Sequence, residues 1–188
     1  MGSRISDYDW DRMTFTEHAV LCFVLKDTSI LLMRKKRGLG QGKINGPGGR
    51  LEPGESYRSA AIRETEEELG ITPCNLREAA HLSFIFTDGY SLDARVFTAQ
   101  GYEGEVTETD EGDPMWFNIS AIPYEQMWAD DRFWLPVALS GAYVRGRFVF
   151  DGDTMLDRAV EQVASPREAE ATAARYGAQG RTDNPKDG

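Results

Sequence analysis

Apolar residues fall in short runs between polar or glycine-containing turns along most of the chain, a pattern typical of strands. The runs at 19–25 and 29–35 are separated by a short polar turn, which predicts two neighbouring strands. The later part of the chain is predicted to contain strands at 81–87, 92–99 and 113–120, a helix at 131–141, and two short strands around an Asp-Gly turn at 143–160. That last pair closes the predicted domain.

The segment from 49 to 71 carries the signals of a turn followed by a helix. Pro53 and Gly54 mark the turn, Ser56 is a suitable N-cap, and Gly70 stands where a helix would end. The sequence therefore predicts a helix over 57–69.

Three glutamates share one face of this predicted helix. Glu64, Glu67 and Glu68 are related by i,i+3 and i,i+4 spacings and so fall within an arc of about 100°. Like charges this close repel one another, and a divalent cation would relieve the repulsion. Oxygen-only ligands suit Mg²⁺ or Mn²⁺ better than Zn²⁺, which prefers histidine and cysteine.

A solvated run of charges is the alternative interpretation of these glutamates. It is weakened by their position, because acidic residues near a helix C-terminus oppose the macrodipole and cost stability there.

Composition narrows the class of protein. With 188 residues and 40% hydrophobic content, the chain suits one globular domain and a tail. We see no apolar stretch of the roughly 18 residues that a membrane span needs, and the polar, acidic start lacks the features of a signal peptide, so we expect a cytoplasmic protein with no membrane partner. A net charge of −10 disfavours a nucleic acid polymer as partner, but it does not exclude a small nucleotide.

Cysteine and histidine offer little chemistry in this sequence. Cys22 lies in an apolar strand-like run and Cys74 is the only other cysteine, so neither a disulfide nor a thiolate mechanism is expected. His18 and His81 have no partners at metal-ligand spacing, and we interpret both as structural.

A basic, glycine-rich segment at 34–49 precedes the helix. It is not a Walker loop, because it lacks the GK[ST] ending. Lys35, Lys36 and Arg37 fit two interpretations, a solubilising strand edge or contacts with phosphate groups, and the sequence leaves both open.

Both ends of the chain are expected to lie outside the domain, which we place at 18–160 after an extension at 1–17. In the tail at 161–188, Ser165 and Glu168 form a capping box and Gly177 a stop, but large apolar side chains are scarce. A marginal helix followed by disorder from 178 is predicted.

The glycines and charges of the 49–71 segment resemble the signature of the Nudix hydrolases. The match comprises Gly49, Glu55, Arg63, Glu64, Glu67, Glu68, Gly70 and Ile71, with Thr65 the one departure, where the family usually has an aliphatic residue. The resemblance implies an α+β Nudix fold, with a mixed β-sheet sandwiched between helices (α/β/α). It also implies a Mg²⁺-dependent hydrolase, with Mn²⁺ as an alternative ion, in which catalysis depends on Glu55, Arg63, Glu64, Glu67 and Glu68.

Three further blocks resemble the MutT-type members of this family that hydrolyse oxidised purine nucleoside triphosphates. They are KKRGLGQGKINGPGG, LSFIFTDGYSLDARVF and MWFNISAIPYEQMWADDRFWLPVAL. What the resemblance implies is a base pocket of Asn45, Phe84, Phe86, Leu92, Trp128, Asp130 and Asp131. It further implies metal binding by the Gly49 carbonyl, Glu64, Glu67, Glu68 and Glu111. Leu39, Ile44 and Val20 depart from the family's residues at their positions.

The pocket chemistry can also be argued from the residue types. Trp128 can stack on a purine, which is worth about 1–3 kcal/mol. In an oxidised guanine N7 changes from acceptor to donor, and two adjacent buried carboxyls, Asp130 and Asp131, can share a proton so that one donates while the other accepts. Alternatively, Asp130 only caps the helix that follows it.

The expected reaction is attack of a metal-activated water on phosphorus, giving a nucleoside monophosphate and pyrophosphate, as the resemblance implies. The expected partner is a small-molecule nucleoside triphosphate, and we expect a monomer. Two alternatives remain open: a Nudix hydrolase of another nucleoside diphosphate compound, such as ADP-ribose, a dinucleotide polyphosphate or capped RNA, and a non-enzymatic nucleotide sensor.

Overall fold

The computed structural model describes residues 3–164, which form one eight-stranded mixed sheet and a two-stranded sheet. The strands are β1 (Glu17–Lys26), β2 (Ser29–Lys35), β3 (Ile44–Asn45), β4 (Ile71–Pro73), β5 (Leu76–Phe86), β6 (Ser91–Gln100), β7 (Tyr102–Gly104), β8 (Gly112–Asn118), β9 (Tyr143–Asp151) and β10 (Thr154–Val163). Across the large sheet the order is β10, β9, β5, β6, β1 and β2, and both β3 and β8 pair with β2. The β1–β6 and β5–β9 pairs are parallel and the others antiparallel.

Two helices cover opposite faces of the large sheet. Helix α1 (Tyr57–Leu69) packs on one face around Cys22, Val24 and Phe97, and α2 (Asp131–Leu139) packs on the other around Phe23 and Phe148. Three short 3₁₀ helices lie at Ile5–Asp7, Ile119–Ala121 and Tyr124–Gln126. This arrangement confirms the predicted α+β fold, a mixed sheet sandwiched between helices. No helix within residues 3–164 is long and apolar enough to span a bilayer.

The central strand β1 is apolar on both faces because both faces are covered. Val24 packs towards α1, whereas Phe23 packs towards α2, and both side chains are fully buried. A strand buried on both sides appears in the sequence as a continuous apolar run without alternation.

The sheet opens between β1 and β2, and the glycine-rich segment 46–49 enters the gap. Cys22 and Val20 donate backbone hydrogen bonds to the carbonyls of Pro47 and Gly49, each 2.9 Å long. Only glycine fits at position 48, because a Cβ there would lie 2.1 Å from the carbonyl oxygen of Val20. The segment thus brings bare backbone against the face of α1 that carries the glutamates.

The predicted limits of α1 are confirmed. Ser56 accepts a hydrogen bond from the Ser59 amide, and Gly70 ends the helix in the left-handed region at φ 72°. Thr65 is fully buried, and its hydroxyl donates to the Ala61 carbonyl at 2.7 Å, so the departure from an aliphatic residue leaves no unpaired hydroxyl.

Other elements differ in length from the prediction. The last two strands are longer than expected, and β10 continues to Val163, beyond the predicted domain end at 160. The N-terminal extension contacts the sheet, since the Ile5 amide donates to Asp157 of β10 at 2.8 Å. The predicted tail helix at 165–177 and the disorder after it lie outside the described residues.

Candidate active site

Helix α1 presents its three glutamates at different depths. Glu68 and Glu64 are 2% and 9% exposed, whereas the Glu67 side chain is 55% exposed. Burial raises the pKa of Glu64, with a contribution from the charge of Glu67, and raises the pKa of Glu68 to about 7. The helix therefore holds carboxylates that are costly to ionise together.

Arg63 joins these acids to the preceding turn. Its guanidinium forms a two-pronged pair with Glu55, at 2.9 Å for both contacts, and also reaches Glu64 at 2.8 Å and Glu67 at 3.1 Å. A further bond goes to the carbonyl of Arg50. Hydrogen bonding to Arg63 lowers the pKa of Glu55 to about 2, so Glu55 stays ionised and orients the guanidinium.

The glycine segment forms the opposite wall of this acidic cluster. The Gly48 amide donates to Glu68 at 2.8 Å, and a Cβ at Gly49 would lie 2.4 Å from a Glu64 oxygen. Lys35 approaches Glu68 at 3.4 Å. Both glycines are thus required for the carboxylates to approach the backbone, a physical reason for the spacing between Gly49 and the helix.

A cavity of about 350 Å³ adjoins the cluster. All eight residues predicted to bind substrate line it: Lys35, Asn45, Phe84, Phe86, Leu92, Trp128, Asp130 and Asp131. The glycine segment also contributes Gly48 and Gly49, so the cavity and the acidic cluster share this segment as a wall.

Aromatic rings fix the wall of the cavity. Trp128 meets Phe150 edge to face, with centroids 5.6 Å apart at 90°, and meets Phe86 at 6.4 Å and 78°. Phe84 stacks on Phe148 at 5.1 Å. Such contacts leave a flat apolar surface suited to a purine ring.

Two buried carboxyls form the polar part of the cavity. Asp130 and Asp131 are each 2% exposed; Trp134 donates to Asp130 at 2.9 Å, and the Trp128 amide donates to Asp131 at 3.0 Å. The other oxygen of Asp130, Oδ1, is buried without a hydrogen-bond partner within residues 3–164. The pair therefore has an unused contact to offer a ligand.

Burial raises the pKa of Asp130 to about 6 and, together with the Asp130 charge, raises that of Asp131 well above its usual range. Two neighbouring carboxyls with raised pKa values favour sharing one proton over ionising together. Asp130 does stand at the N-cap of α2, but its side chain makes no capping hydrogen bond with the helix. The geometry therefore disfavours the capping alternative.

The two interpretations of the basic segment apply to different residues. Lys36 pairs with Glu108 at 2.6 Å, and Arg37 pairs with Glu111. Lys35 instead lines the cavity and faces Glu68. Lys35 is thus the member of the segment placed to meet phosphate.

Sequence reasoning missed several cavity residues. They are Leu82, Tyr90, Ala94, Trp134, Phe150, Leu21 and Arg50. Alternation along the strands placed Leu82 on the same face as Phe84, so that residue could have been found. Phe150 reaches the site through the pairing of distant strands, which no local pattern reveals.

The remaining candidates lie elsewhere in the fold. Burial raises the pKa of Cys22 to about 11, which makes a thiolate mechanism unfavourable. His81 pairs with Asp93 at 2.6 Å, and His18 contacts the Tyr57 hydroxyl at 3.0 Å. The first contact joins β5 to β6 and the second joins β1 to α1, and both fit the structural interpretation of the histidines.

Comparison with known proteins decides the family. The profile of the NUDIX domain matches residues 16–137. The chain belongs to the Nudix family. A zebrafish (Danio rerio) Nudix relative named oxidized purine nucleoside triphosphate hydrolase is 41% identical over 145 residues, which cover 76% of this chain and 93% of the relative. A mouse (Mus musculus) protein of the same name is 38% identical over 147 residues, covering 77% and 94%.

Solved structures agree with this Nudix assignment. A MutT protein from Bacillus halodurans has a TM-score of 0.69 at 28% identity, covering 77% of this chain and 97% of that one. A MutT Nudix hydrolase from Burkholderia pseudomallei has a TM-score of 0.56 at 28% identity, covering 66% and 95%. The protein is therefore an enzyme of the Nudix hydrolase family, whose members act on small nucleotides with a divalent metal ion.

The Nudix acidic cluster fits a divalent ion by charge and by donor type. Four carboxylates, Glu55, Glu64, Glu67 and Glu68, face the two cations Arg63 and Lys35, which leaves an excess of two negative charges. Among residues 3–164 no three acidic, histidine or cysteine side chains already converge as a metal cage. Carboxylate oxygens are the donor type that suits Mg²⁺, an ion that usually shares its coordination with substrate phosphates and water.

Glu111 is the least integrated of the predicted Nudix metal ligands. Its side chain pairs with Arg37, and its carbonyl accepts from the Lys36 amide at 2.9 Å. Its loop does reach α1, because the Thr109 hydroxyl donates to the Glu68 carbonyl at 2.9 Å. A metal role for Glu111 stays a prediction, and it requires Arg37 to release the carboxylate.

Proposed function

We propose that this Nudix hydrolase cleaves oxidised purine nucleoside triphosphates of the 8-oxo-dGTP and 2-hydroxy-dATP type to a nucleoside monophosphate and pyrophosphate, and so cleans the nucleotide pool. The observation that carries the proposal is an Asp130 oxygen that is buried beside Asp131 in an aromatic cavity and finds no hydrogen-bond partner among residues 3–164. The names of the zebrafish and mouse relatives support the same substrate class.

The acid pair would recognise the edge of the base. An oxidised guanine offers a donor at N7 where guanine has an acceptor, and the free Oδ1 of Asp130 can accept from it. The proton held by the pair gives Asp131 a donor for a neighbouring acceptor on the base. Trp128 would stack on the ring, and Asn45 at the cavity wall would add a further polar contact. Because the proton can shift between the two carboxyls, more than one modified purine can be matched.

The acidic cluster would carry out hydrolysis. Mg²⁺, or Mn²⁺ in its place, lowers the pKa of a bound water and neutralises phosphate charge when it is present. Glu64, Glu67, Glu68, the Gly49 carbonyl and Glu111 would hold the ion. Lys35 would contact the phosphates, and the Glu55–Arg63 pair would fix the orientation of the glutamates.

Water attack on phosphorus would then break the anhydride that joins the monophosphate to the pyrophosphate. A glutamate of α1, Glu64 or Glu68, would accept the proton of the attacking water. Burial raises the pKa of both groups, which makes each carboxylate a stronger proton acceptor than an exposed glutamate.

The decisive experiment measures pyrophosphate and phosphate release with Mg²⁺ across a panel of nucleotides: dGTP, dATP, 8-oxo-dGTP, 2-hydroxy-dATP, the corresponding ribonucleotides, ADP-ribose and diadenosine polyphosphates. We expect kcat/KM for an oxidised purine triphosphate to exceed that for its normal counterpart by at least about tenfold, because the edge contact is lost in the normal base. A preference for ADP-ribose or a dinucleotide would contradict the substrate assignment, and no turnover of any compound would favour a sensor.

The same proposal includes the domain limits, the location and the oligomeric state of the enzyme. We place its Nudix domain at residues 18–160, with β10 continuing to Val163, and expect a cytoplasmic monomer whose partner is a small nucleotide. A mass of 21.0 kDa in light scattering would agree with the monomer.

A further inference from the structure

A flap formed by residues 36–42 lies at the mouth of the base cavity. Its base is closed by backbone hydrogen bonds between Lys35 and Lys43 (2.9 Å) and between Gly42 and Lys35 (2.8 Å). Gly38 and Leu39 of the flap line the cavity, and Leu39 is 52% exposed despite its apolar side chain.

The flap rests directly on Trp128. Gly40 has φ 78°, and a Cβ there would lie 2.8 Å from the indole nitrogen of Trp128. The backbone of the flap and the ring that would stack on the base are therefore in contact, and a shift of one must move the other.

Lys43, at the end of the flap, links this ring to a distant turn. Its ammonium lies 4.8 Å from the centroid of the Trp128 ring and 3.0 Å from a carboxylate oxygen of Asp153, which lies between β9 and β10. Within the described residues the cavity wall includes Trp128 and leaves Lys43 outside. The ring face that meets this ammonium is called the outer face, because Lys43 is not among the residues that line the cavity, and the opposite face is called the inner face.

We propose that Lys43 is a positioning residue for purine recognition, acting through Trp128; this inference rests on the proposed function. A cation over the outer face is attracted by the π electrons and holds the ring in one orientation, which lowers the entropy cost of stacking. It also draws electron density from the inner face, which favours stacking with an electron-rich oxidised purine.

Asp153 weakens the interaction between the Lys43 ammonium and the Trp128 ring. Its side chain is 72% exposed, and its charge partly neutralises the ammonium of Lys43. Removing the carboxylate leaves Lys43 free to settle more fully over the ring. Loss of the Lys43–Trp128 contact and loss of the Asp153 carboxylate are therefore expected to have opposite effects on base binding.

The test measures binding of 8-oxo-dGMP by fluorescence or calorimetry in EDTA, alongside KM and kcat for 8-oxo-dGTP with Mg²⁺. Lys43→Met should raise Kd and KM about three- to tenfold while kcat changes less than about twofold, because only base stacking is weakened. Lys43→Arg should restore binding, since a guanidinium also stacks on indole. Asp153→Asn should bind as tightly as the wild type or more tightly.

Lys26→Met is the matched control, because Lys26 is an exposed lysine at the far end of β1 and its loss changes the net charge equally. Wild-type affinity is expected for this variant. Equal weakening by Lys26→Met and Lys43→Met would show a general charge effect and overturn the inference.

A double-mutant cycle tests whether Lys43 acts on base binding through Trp128. If Lys43 acts through the ring, Lys43→Met should add nothing to the loss caused by Trp128→Ala, whereas full additivity would overturn the inference. If the wild type binds 8-oxo-dGMP and Lys43→Met binds it equally, only the role of Lys43 is wrong. If the wild type binds no purine nucleotide, the proposed function fails and this inference with it.

Discussion

At the scale of single residues, the site contains buried carboxyl groups whose ionisation is unfavourable, together with hydrogen-bond partners that partly offset the loss of solvation. Glu68 is nearly fully buried, yet it is held by a backbone amide and a lysine. Asp130 is equally buried, and one of its oxygens has no hydrogen-bond partner in the part of the chain that the structure describes. Native proteins retain such features where a ligand completes them.

Glu68→Gln or Glu67→Gln should lower kcat by at least about a hundredfold, because each removes a charge from the proposed metal site. The fold should persist, and in EDTA at pH 8 the melting temperature of Glu68→Gln should hold or rise. The reason is that a neutral amide avoids ionising a buried group whose pKa is raised to about 7. Pyrophosphate release and thermal melts measure both effects. Near-normal kcat in both variants at saturating Mg²⁺ would disprove the metal assignment.

Asp130→Asn should cost about 1–3 kcal/mol in kcat/KM for the preferred oxidised purine triphosphate, the usual loss for a contact to a charged group. Pyrimidine triphosphates should be affected far less. Steady-state kinetics on paired substrates measure the difference, and Trp128→Ala should in contrast weaken all purines together. A uniform loss across every nucleotide would leave the Nudix chemistry intact and remove the base-reading role.

The same substitution should alter the pH dependence of stability. Below the ordinary pKa of 3.8 the Asp130 carboxyl is protonated in both folded and unfolded chains, so it adds no penalty. As the pH rises from 3.8 to the folded pKa of about 6, the unfolded chain ionises while the folded chain keeps its buried proton, so stability is lost over this range and the loss stays constant above it.

Asp130→Asn should therefore become more stable than the wild type as the pH increases from 4 to 7, by about 3 kcal/mol at most. Urea denaturation at several pH values, with the exposed Asp27→Asn as control, measures the trend. A constant difference across this range would contradict the buried, proton-sharing pair.

At the scale of elements, the sequence predicted the limits of a helix or strand correctly where neighbouring residues alone determine them. Ser56 and Gly70 predicted both ends of α1, because capping and left-handed backbone depend on neighbouring residues only. The start of β5 at Leu76 was missed, since Arg77 and Glu78 do not look like strand residues. Their partners come from elsewhere: Glu78 accepts from Tyr143 at 2.7 Å and from Arg95 at 3.0 Å.

The candidate site likewise has features that follow from local sequence and features that depend on distant parts of the chain. The spacing of the signature predicted that Glu64, Glu67 and Glu68 share one face of α1, because a single helix supplies all three. The contribution of Phe150 depends on the parallel pairing of β5 with β9, and the pairing of Glu111 with Arg37 joins two loops that are far apart in sequence. Neither is encoded in a local pattern.

Two neighbouring glycines offer a test of how the 46–49 segment works. Gly48→Ala should unfold or strongly destabilise the protein, by more than about 3 kcal/mol, because the new Cβ meets rigid backbone at 2.1 Å. Gly49→Ala instead meets the end of the Glu64 side chain at 2.4 Å, so the fold should persist while kcat falls at least about tenfold. Circular dichroism melts and kinetics distinguish the two. Equal stability of both variants would contradict the packing described.

At the scale of the whole molecule, the limits of the domain can be tested by truncation. Deleting Ser165–Gly188 should leave the melting temperature and activity nearly unchanged, because that segment has few apolar side chains to bury. A truncation that also removes β10 is the control and should be strongly destabilised, since β10 pairs with β9 along its length. A fall of many degrees for the shorter deletion would show that the domain extends further.

The parallel pairing of β1 with β6 and of β5 with β9 also bears on how the chain folds during synthesis. Leu21 pairs with Val96, and Phe84 pairs with Phe148, so the centre of the sheet joins segments made at very different times. Contacts of such long range form slowly, because the chain must lose the entropy of closing a large loop before any of these contacts can stabilise it. On the ribosome the acidic helix would therefore be complete long before the cavity exists, and substrate recognition would be acquired only when β9 has left the exit tunnel.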